Sequence, residues 1–233
     1  MKKRRFISLF HQFYKELKIA KRKGKSIFKP LRFFYQYIKQ NSVKRNRMEL
    51  GIPWMTIPAV NFLDKLIKED FKIYEYGSGA STIYFLKKGV KIYSAEHSKD
   101  WFEILEQYIN NSFPGSNPVK LFEPVRSISS EAIYSKKDPK YINFDFTQYV
   151  NSINRFDDHF FDIIVIDGRV RIACLRQSIN KLKEGGFIIF DNGDRNEYHN
   201  ELKKIEKFLI LSDFTVTSFD LSFNQTNIYQ IWK

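Results

Sequence analysis

The sequence predicts an α/β protein with a doubly wound, mostly parallel seven-stranded sheet, a C-terminal antiparallel hairpin and a basic helical N-terminal extension. Three observations support this fold class. From residue 51 onward, short apolar runs alternate with amphipathic segments. The run FDIIVID, at 161–167, has an unbroken apolar centre, as strands buried on both faces of a parallel sheet do. The last two β-rich runs, FTVTSFDLS and TNIYQIW, are joined through FNQT, which is too short for a parallel crossover.

The predicted elements of the domain follow one another in the order of a parallel sheet with crossover helices. A helix over 58–68 has Pro58 in its first turn and Val60, Leu63 and Ile67 on one side. The remaining predictions are strand 71–76, helix 80–88, strand 90–96, helix 99–110, strand 118–125, helix 143–153, strand 161–167, helix 170–182, strand 185–192, helix 196–208 and the closing hairpin. Open parallel sheets bind ligands outside the carboxyl ends of their strands, so functional residues are expected there.

The formal charge of +13 lies in an N-terminal extension, residues 1–50, and not in the domain predicted for residues 51–233. The extension holds 16 Lys or Arg against Glu16 and Glu49, whereas the domain holds 23 basic and 24 acidic residues. With one cysteine, Cys174, the chain can form no intramolecular disulfide and no cysteine-based zinc site, which favours a cytoplasmic protein. No uncharged apolar run approaches 20 residues, so no transmembrane helix is expected.

The extension contains a predicted basic amphipathic helix over residues 5–20. Phe6, Phe10, Phe13 and Leu17 recur at helical spacing among lysines and arginines, and a second aromatic cluster, LRFFYQYI, follows at 31–38. Three roles are open for it. The aromatic residues pack on the domain or on a second subunit, residues 1–40 make peripheral contact with the inner face of an anionic membrane, or the basic residues bind a polyanion such as nucleic acid.

The first predicted strand ends in the loop EYGSGAST, residues 75–82. Gly77 and Gly79 let a ligand approach the main chain, and the amides that follow lie at a helix N-terminus, which favours an anionic group. The third glycine of the dinucleotide-binding motif is missing, because position 82 is Thr. The second strand ends in Glu96, where an acid can accept both hydroxyls of a ribose. Loop and acid together indicate a cofactor that contains adenosine.

These motifs, with FDIIVIDG and GGFIIFDN downstream, resemble the class I S-adenosylmethionine-dependent methyltransferases over about residues 57–232. The IDGR and DNGDR segments resemble an uncharacterised bacterial or viral subgroup. The resemblance implies that residues 124–149 contact the adenine and assigns further residues by their motif positions. The methionine part of S-adenosylmethionine would contact Glu75, Tyr76, Gly77, Ser78 and Gly79, with Ser81 and Thr82 at the helix amides, Glu96 at the ribose and His97 beside the adenine.

Acidic and amide side chains also follow the predicted fourth and fifth strands. Asp167, Asp191 and Asn192 would converge above the sheet, and such oxygen ligands suit Mg²⁺. This set is similar to the metal triad of the catechol and caffeoyl-coenzyme A O-methyltransferases, although those families have Lys where this sequence has Val170. The alternative is an acid that positions substrate without metal, with 191–192 as a turn and helix cap. Arg169 is expected to favour an anionic substrate group, as are the two arginines at 171 and 195.

The resulting functional prediction is an S-adenosylmethionine-dependent O-methyltransferase of a small anionic or sugar-like acceptor, with Asp167, Asp191 and Arg169 as the catalytic set and Mg²⁺ as a candidate cofactor. Two alternatives stay open. A nucleic-acid methyltransferase would use the basic extension, but the domain is near neutral and lacks the N-P-P-[YFW] signature. A non-catalytic interaction module on the same fold would not need the glycines and acids at the strand ends.

Overall fold

The computed structural model describes residues 2–42, 46–135 and 139–232. The helices are α1 Lys2–Arg22, α2 Phe28–Leu31, α3 Phe34–Asn41, α4 Arg47–Leu50, α5 Ile57–Leu66, α6 Ala80–Lys87, α7 Lys99–Ser112, α8 Thr147–Asn151, α9 Arg171–Ser178 and α10 His199–Lys204. The strands are β1 Lys72–Tyr76, β2 Lys91–Glu96, β3 Val119–Leu121, β4 Val125–Arg126, β5 Phe144–Asp145, β6 Phe161–Ile166, β7 Leu182–Phe190, β8 Leu209–Val216 and β9 Phe223–Ile231. Within these ranges, every helix is too short or too polar to cross a membrane.

Seven strands form one sheet in the order β3-β2-β1-β6-β7-β9-β8. The neighbours from β3 to β7 are parallel, and β9 runs antiparallel to both β7 and β8. The predicted fold class is therefore confirmed, including the C-terminal hairpin at the sheet edge. The strand order reverses between β1 and β6, and ligands of open α/β sheets bind at the carboxyl side of such a switch point.

The sheet is covered on both faces, and β6 shows this most clearly. Its Ile164 and Ile166 pack in a cluster with residues of α8, α9 and α10, including the buried Cys174. Its Ile163 and Val165 pack in a second cluster with residues of α5 and α6. Because both faces of this strand are buried, its apolar run needs no polar alternation.

The third predicted strand is shorter than expected. The sheet strand β3 ends at Leu121, although the Phe122 N–H still donates to the Glu96 carbonyl oxygen at 2.7 Å. Pro124 follows, and proline has no N–H with which to continue the ladder. Val125 and Arg126 instead pair with Phe144 and Asp145 in a separate two-stranded sheet.

Two predicted boundaries move because short side chains cap the main chain. The helix predicted over 143–153 begins at Thr147, since the Asp145 carboxylate accepts hydrogen bonds from the Thr147 N–H and hydroxyl at 2.8 and 2.6 Å. The hairpin loop lies at 217–222 and not at FNQT, which belongs to β9. Asp220 stabilises this loop by accepting from the Ser222 N–H and hydroxyl, both at 2.8 Å.

The N-terminal extension packs against the C-terminal hairpin. Phe13 is buried, and its ring centroid lies 4.9 Å from that of Phe34, 5.0 Å from that of Tyr37 and 5.1 Å from that of Phe223. Leu9 and Ala20 of α1 and Val216 of β8 join this cluster. One side of the amphipathic helix thus packs on the domain, as the first of the three predicted roles requires.

Polar contacts fix the extension to the loop that joins β8 and β9. The buried Glu16 carboxylate accepts from the Phe223 N–H at 3.0 Å. The Tyr37 hydroxyl donates to the Leu221 carbonyl oxygen at 3.0 Å, and the Gln40 amide donates to that of Thr217 at 2.9 Å. Such directional contacts set the conformation of the loop as well as the position of the helices.

We expect Phe13→Ala to lower the free energy of unfolding by about 3–5 kcal/mol, because it removes a buried ring that contacts three others. Phe10→Ala is the matched control, since Phe10 is 55% exposed on the same helix, and we expect it to cost less than about 1 kcal/mol. Urea denaturation of both variants measures the difference. Equal, small effects would show that α1 is not held against the hairpin.

Candidate active site

An open cleft of about 1660 Å³ lies along the carboxyl ends of β1, β2, β6 and β7. Pockets for one small molecule usually measure roughly 300–1,000 Å³, so this cleft has room for two ligands side by side. The predicted site residues that line it are Gly77, Ser78, Gly79, Ser81, Glu96, His97, Asp167, Arg169, Asp191 and Asn192. The side chains of Glu75, Tyr76 and Thr82 lie behind this wall.

The two loop glycines serve different purposes. Gly77 has a φ of 90°, and a Cβ placed on it would lie 2.7 Å from the Gly168 Cα. Glycine is required here because the ends of β1 and β6 approach so closely. Gly79 has an extended φ of 166°, and its nearest neighbour would be the Trp101 ring at 3.8 Å. The Gly79 position therefore leaves space on the cleft side of the loop.

Glu75 is fully buried behind the glycine loop. One of its carboxylate oxygens accepts from the Thr82 hydroxyl at 2.6 Å and from the Ser94 hydroxyl at 2.8 Å. The other has no hydrogen-bond partner within the described part of the chain. Burial raises the pKa of Glu75 to about 7, although the hydroxyl contacts oppose this shift. Glu75 thus acts on the loop through Thr82, whose hydroxyl in turn accepts from the Gly79 N–H at 3.0 Å.

Tyr76 does not present its side chain to the cleft. Its ring is buried in the cluster under α8 and α9, and its hydroxyl donates to the Val150 carbonyl oxygen at 2.7 Å. Side chains alternate along a strand, so the neighbour of a residue directed to one face points to the other. Only the main chain of Tyr76 lies near the predicted cofactor loop.

Glu96 joins the end of β2 to the glycine loop. One carboxylate oxygen accepts from the Ser78 N–H and hydroxyl at 3.1 and 2.8 Å, and the other accepts from the N–H groups of His97 and Ser98, both at 2.8 Å. Burial alone would raise the pKa of Glu96, but His97 and these hydrogen bonds outweigh it, and the pKa is lowered. Glu96 is therefore a carboxylate at the cleft wall.

His97 lies in an aromatic enclosure at the β2 end of the cleft. Its ring centroid is 5.3 Å from that of Tyr141 and 5.8 Å from those of Phe146 and Tyr149. Within the region expected to contact adenine, Tyr134 also lines the cleft. Positions 136–138 of that region lie outside the described residues.

Trp101 is a cleft residue that the motifs did not indicate. Its indole N–H donates to the Ser78 carbonyl oxygen at 2.8 Å, which places the ring over the glycine loop. The signal in the sequence was its position in the first turn of the helix that follows Glu96. A flat aromatic surface at this place can pack against a planar or apolar part of a ligand.

Arg171 holds the ends of β6 and β7 together. Its side chain is buried and donates to the Asp167 carboxylate at 2.7 Å, to the Asp167 and Gly168 carbonyl oxygens at 3.0 Å each, and to the Asp191 carbonyl oxygen. Its guanidinium also lies 3.5 Å from the Asp191 carboxylate. Burial and the charge of Asp191 raise the pKa of Asp167 well above its ordinary value, and Arg171 offsets part of this shift. The two acids thus share one buried cation.

This arrangement does not fit the predicted metal triad. Arg171 already occupies the position of a cation beside both carboxylates. Asn192, with a left-handed φ of 55°, turns its side-chain oxygen toward Arg195, from which it accepts a hydrogen bond. No cluster of three or more His, Cys, Asp or Glu suited to a metal occurs in the described ranges. The turn in the alternative prediction for 191–192 agrees with these contacts, and whether the site binds a metal stays a prediction.

The C-terminal hairpin supplies partners for Asp191 that sequence analysis missed. The Asn224 amide donates to both of its carboxylate oxygens at 3.2 and 3.1 Å, and the Thr226 hydroxyl donates at 2.8 Å. Both residues lie on β9, which pairs with β7 in antiparallel register. Because these partners lie more than 30 residues beyond Asp191, no local motif contains them. Asp191 is consequently held in one orientation from two sides.

Basic side chains line the outer part of the cleft. Arg169 follows β6, and Arg195 hydrogen-bonds to Asn192 near the end of β7. Lys23, at the end of the N-terminal extension, forms an ion pair of 2.7 Å with Asp194 at the same rim. Lys23 is thus paired within the chain, whereas Arg169 and Arg195 lie where they could contact an anionic group on a second ligand.

No family model matches the chain, and neither does any curated protein. Among solved structures, the O-methyltransferase from Bacillus cereus in complex with SAH has a TM-score of 0.55 at 14% identity, over 84% of this chain and 96% of its own. A methyltransferase-like protein from Silicibacter pomeroyi has a TM-score of 0.52 at 16% identity, over 77% and 90%. A cofactor-bound protein from MTB has a TM-score of 0.53 at 14% identity, over 79% and 86%.

These structural similarities identify the known fold to which the sheet topology corresponds. The chain has the class I S-adenosylmethionine-dependent methyltransferase fold. At such low identities the similarity extends to the fold alone. The subgroup expected from the IDGR and DNGDR segments, and the roles of the individual site residues, stay predictions.

We expect Glu75→Gln to flatten the pH dependence of stability. The folded pKa of about 7 lies above the ordinary value of 4.5, so the folded state keeps a proton that the unfolded state loses between these values. The wild type should therefore lose up to about 3 kcal/mol of stability from this group as pH rises from 4.5 to 7, and no more above that. Chemical denaturation at several pH values measures it, with the exposed Glu103→Gln as control. Parallel curves for wild type and Glu75→Gln would refute the prediction.

We expect Arg171→Met to cost about 3–5 kcal/mol of stability, because it leaves two carboxylates without their buried cation. Arg176→Met is the matched control on the same helix, since its ion pair with Glu201 is exposed and should be worth less than about 1 kcal/mol.

We also expect Mg²⁺ and a chelator to leave the wild-type thermal midpoint unchanged. A rise in the thermal midpoint with Mg²⁺ that is lost in Asp191→Asn would instead support the predicted metal site.

Proposed function

We propose that the chain is an S-adenosylmethionine-dependent methyltransferase that methylates an oxygen of a small acceptor. The observation that carries this proposal is the direct contact between Glu96 and the loop 77–79, through the N–H and hydroxyl of Ser78. An acid and a glycine loop at adjoining strand ends form the arrangement that binds nucleosides in this architecture. The fold supports the same ligand class.

In this proposal the cofactor lies along the ends of β1 and β2. Glu96 accepts the ribose hydroxyls in exchange for its present contacts with Ser78, and the aromatic enclosure of His97 receives the adenine. The loop 77–79 and Ser81 hold the methionine part, while Glu75 positions the loop through Thr82. When bound, S-adenosylmethionine supplies a methyl group on a positively charged sulfur, which leaves as a thioether when the acceptor oxygen takes the methyl.

Asp167 is the proposed base for the acceptor hydroxyl. Its side chain is 23% exposed toward the cleft, and burial beside Asp191 raises its pKa, which makes its carboxylate a stronger base than an ordinary aspartate. Arg171 and Asp191 are proposed as positioning residues. They hold Asp167 and the two strand ends in place and do not act as bases themselves. Because Arg171 takes the place of a cation beside Asp167 and Asp191, the proposal includes no magnesium ion.

The proposed acceptor is small and anionic. Room for a second ligand beside the cofactor supports a small molecule, and Arg169 and Arg195 support an anionic group on it. The rate of methyl transfer depends chiefly on the alignment of the acceptor oxygen with the methyl carbon. An arginine that binds the anionic group of the acceptor therefore affects the rate directly, because it orients that oxygen. A sugar-like acceptor fits the same site where it carries a carboxylate or phosphate.

We expect calorimetry to show binding of both S-adenosylmethionine and S-adenosylhomocysteine but not of NAD. Glu96→Ala should weaken the binding about 10- to 100-fold, because it removes charged hydrogen bonds to the ribose. Glu96→Gln keeps an acceptor for the Ser78 contacts and separates this loss from a loosened loop, and Glu103→Ala on α7 is the control for removing a glutamate.

If the wild type binds neither S-adenosylmethionine nor S-adenosylhomocysteine, the enzyme proposal is wrong and a non-catalytic module on the same fold is favoured. Tighter binding of NAD than of S-adenosylhomocysteine would point to a dehydrogenase instead. Unchanged affinity in Glu96→Ala, with an unchanged thermal midpoint, would remove the ribose role of Glu96.

A further inference from the structure

The N-terminal helix has a second apolar side, which the domain does not cover. Its residues are Phe6, Ile7, Phe10 and Tyr14, which are 50%, 57%, 55% and 51% exposed and lie on adjacent turns of α1. We call these four residues the aromatic face. Leu9 and the other buried apolar residues of α1 lie beside it and pack into the hairpin cluster. Large apolar side chains exposed together on one helix face mark an interaction surface.

The surroundings of the aromatic face carry charge of one sign. Glu16 is the only acid in residues 1–48, and it is buried with its carboxylate on the Phe223 N–H. The exposed basic side chains of the extension that pair with no carboxylate within the described ranges are Arg5, Lys15, Lys18, Lys21, Arg22, Arg32 and Lys39. Apart from Glu49 near its end, the exposed surface of the extension is therefore cationic and aromatic, which favours an anionic partner.

We propose that the aromatic face docks on an anionic lipid bilayer. Phe6, Ile7 and Phe10 carry no hydrogen-bonding group, so they favour a hydrocarbon layer over a polar ligand. Lys18, whose ammonium lies 4.6 Å from the centre of the Tyr14 ring, and Lys21 follow on the next turn, within reach of lipid phosphates. The buried side of α1 stays on the hairpin, so docking needs no unfolding of the extension.

Two other partners fit these observations less well. A second copy of the chain would place two surfaces with the same strong positive charge against each other. The phosphates of a nucleic acid could pair with the lysines. Its bases, however, usually stack on aromatic rings inside a cationic groove. Ile7 has no ring, and the convex surface of α1 forms no groove. An anionic bilayer satisfies the apolar and the cationic residues together.

The test is co-sedimentation of the full chain with vesicles, at about 0.1 M salt, where surface charges still act over roughly 10 Å. We expect binding to vesicles of phosphatidylcholine with phosphatidylglycerol and weak binding to phosphatidylcholine alone. Lys18→Glu with Lys21→Glu should lower the partition coefficient at least tenfold, since each lysine near such a surface contributes about fivefold. Phe6→Ser with Phe10→Ser should also lower it at least tenfold.

The matched control is Ile104→Ser, because Ile104 is 53% exposed on α7 and lies outside the extension. It should bind vesicles as the wild type does, and all variants should keep the wild-type thermal midpoint. The proposal is overturned by no binding to the anionic vesicles, or by unchanged binding of Phe6→Ser with Phe10→Ser. Binding of an RNA oligonucleotide without vesicle binding, or a dimer that the same double variant dissociates, would assign the face to those partners.

Discussion

The buried guanidinium of Arg171 is the contact on which the candidate site depends. It bonds to carbonyl oxygens after β6 and β7 and to the Asp167 carboxylate, so it fixes two strand ends and the start of α9 together. A buried cation is tolerated only when it is paired, and the two acids need the same cation for the same reason. On the other side of β6, Gly77 lets the loop after β1 close on Gly168. The proposed cofactor loop and the proposed base therefore share one wall.

The N-terminal extension belongs to the structure of this wall. Glu16 of α1 accepts from the Phe223 N–H, and the next residue, Asn224, donates to the Asp191 carboxylate. Lys23 reaches the cleft rim through Asp194. A continuous set of contacts thus runs from the helix that carries the aromatic face to the acid pair. Whatever surface the helix binds, the cleft is held at a fixed position relative to that surface.

Sequence analysis predicted the sheet and the positions of the strand-end residues because both depend on local patterns. Alternating apolar runs and helical segments define a parallel sheet, and a parallel sheet brings its carboxyl ends to one edge. The same patterns predict that Glu96, Asp167 and Asp191 lie at one edge of the sheet, and all three line the cleft. The hairpin followed from the shortness of the predicted connection, although the loop lies at 217–222 and not at FNQT. Loop boundaries were less accurate, since a single capping acid such as Asp145 decides where a helix begins.

The chemistry between the strand ends could not be predicted in the same way, because it depends on where long side chains reach. Two acids and an amide at neighbouring strand ends suggested a metal, yet Arg171, one turn beyond Asp167, supplies the positive charge from inside the chain. The left-handed conformation at Asn192 then removes the third ligand. The position of an acid at a strand end determines where its Cα lies. The side chains that pair with its carboxylate come from β9 and α9, and no local motif contains them. The internal arginine thus holds the two acids at a fixed spacing.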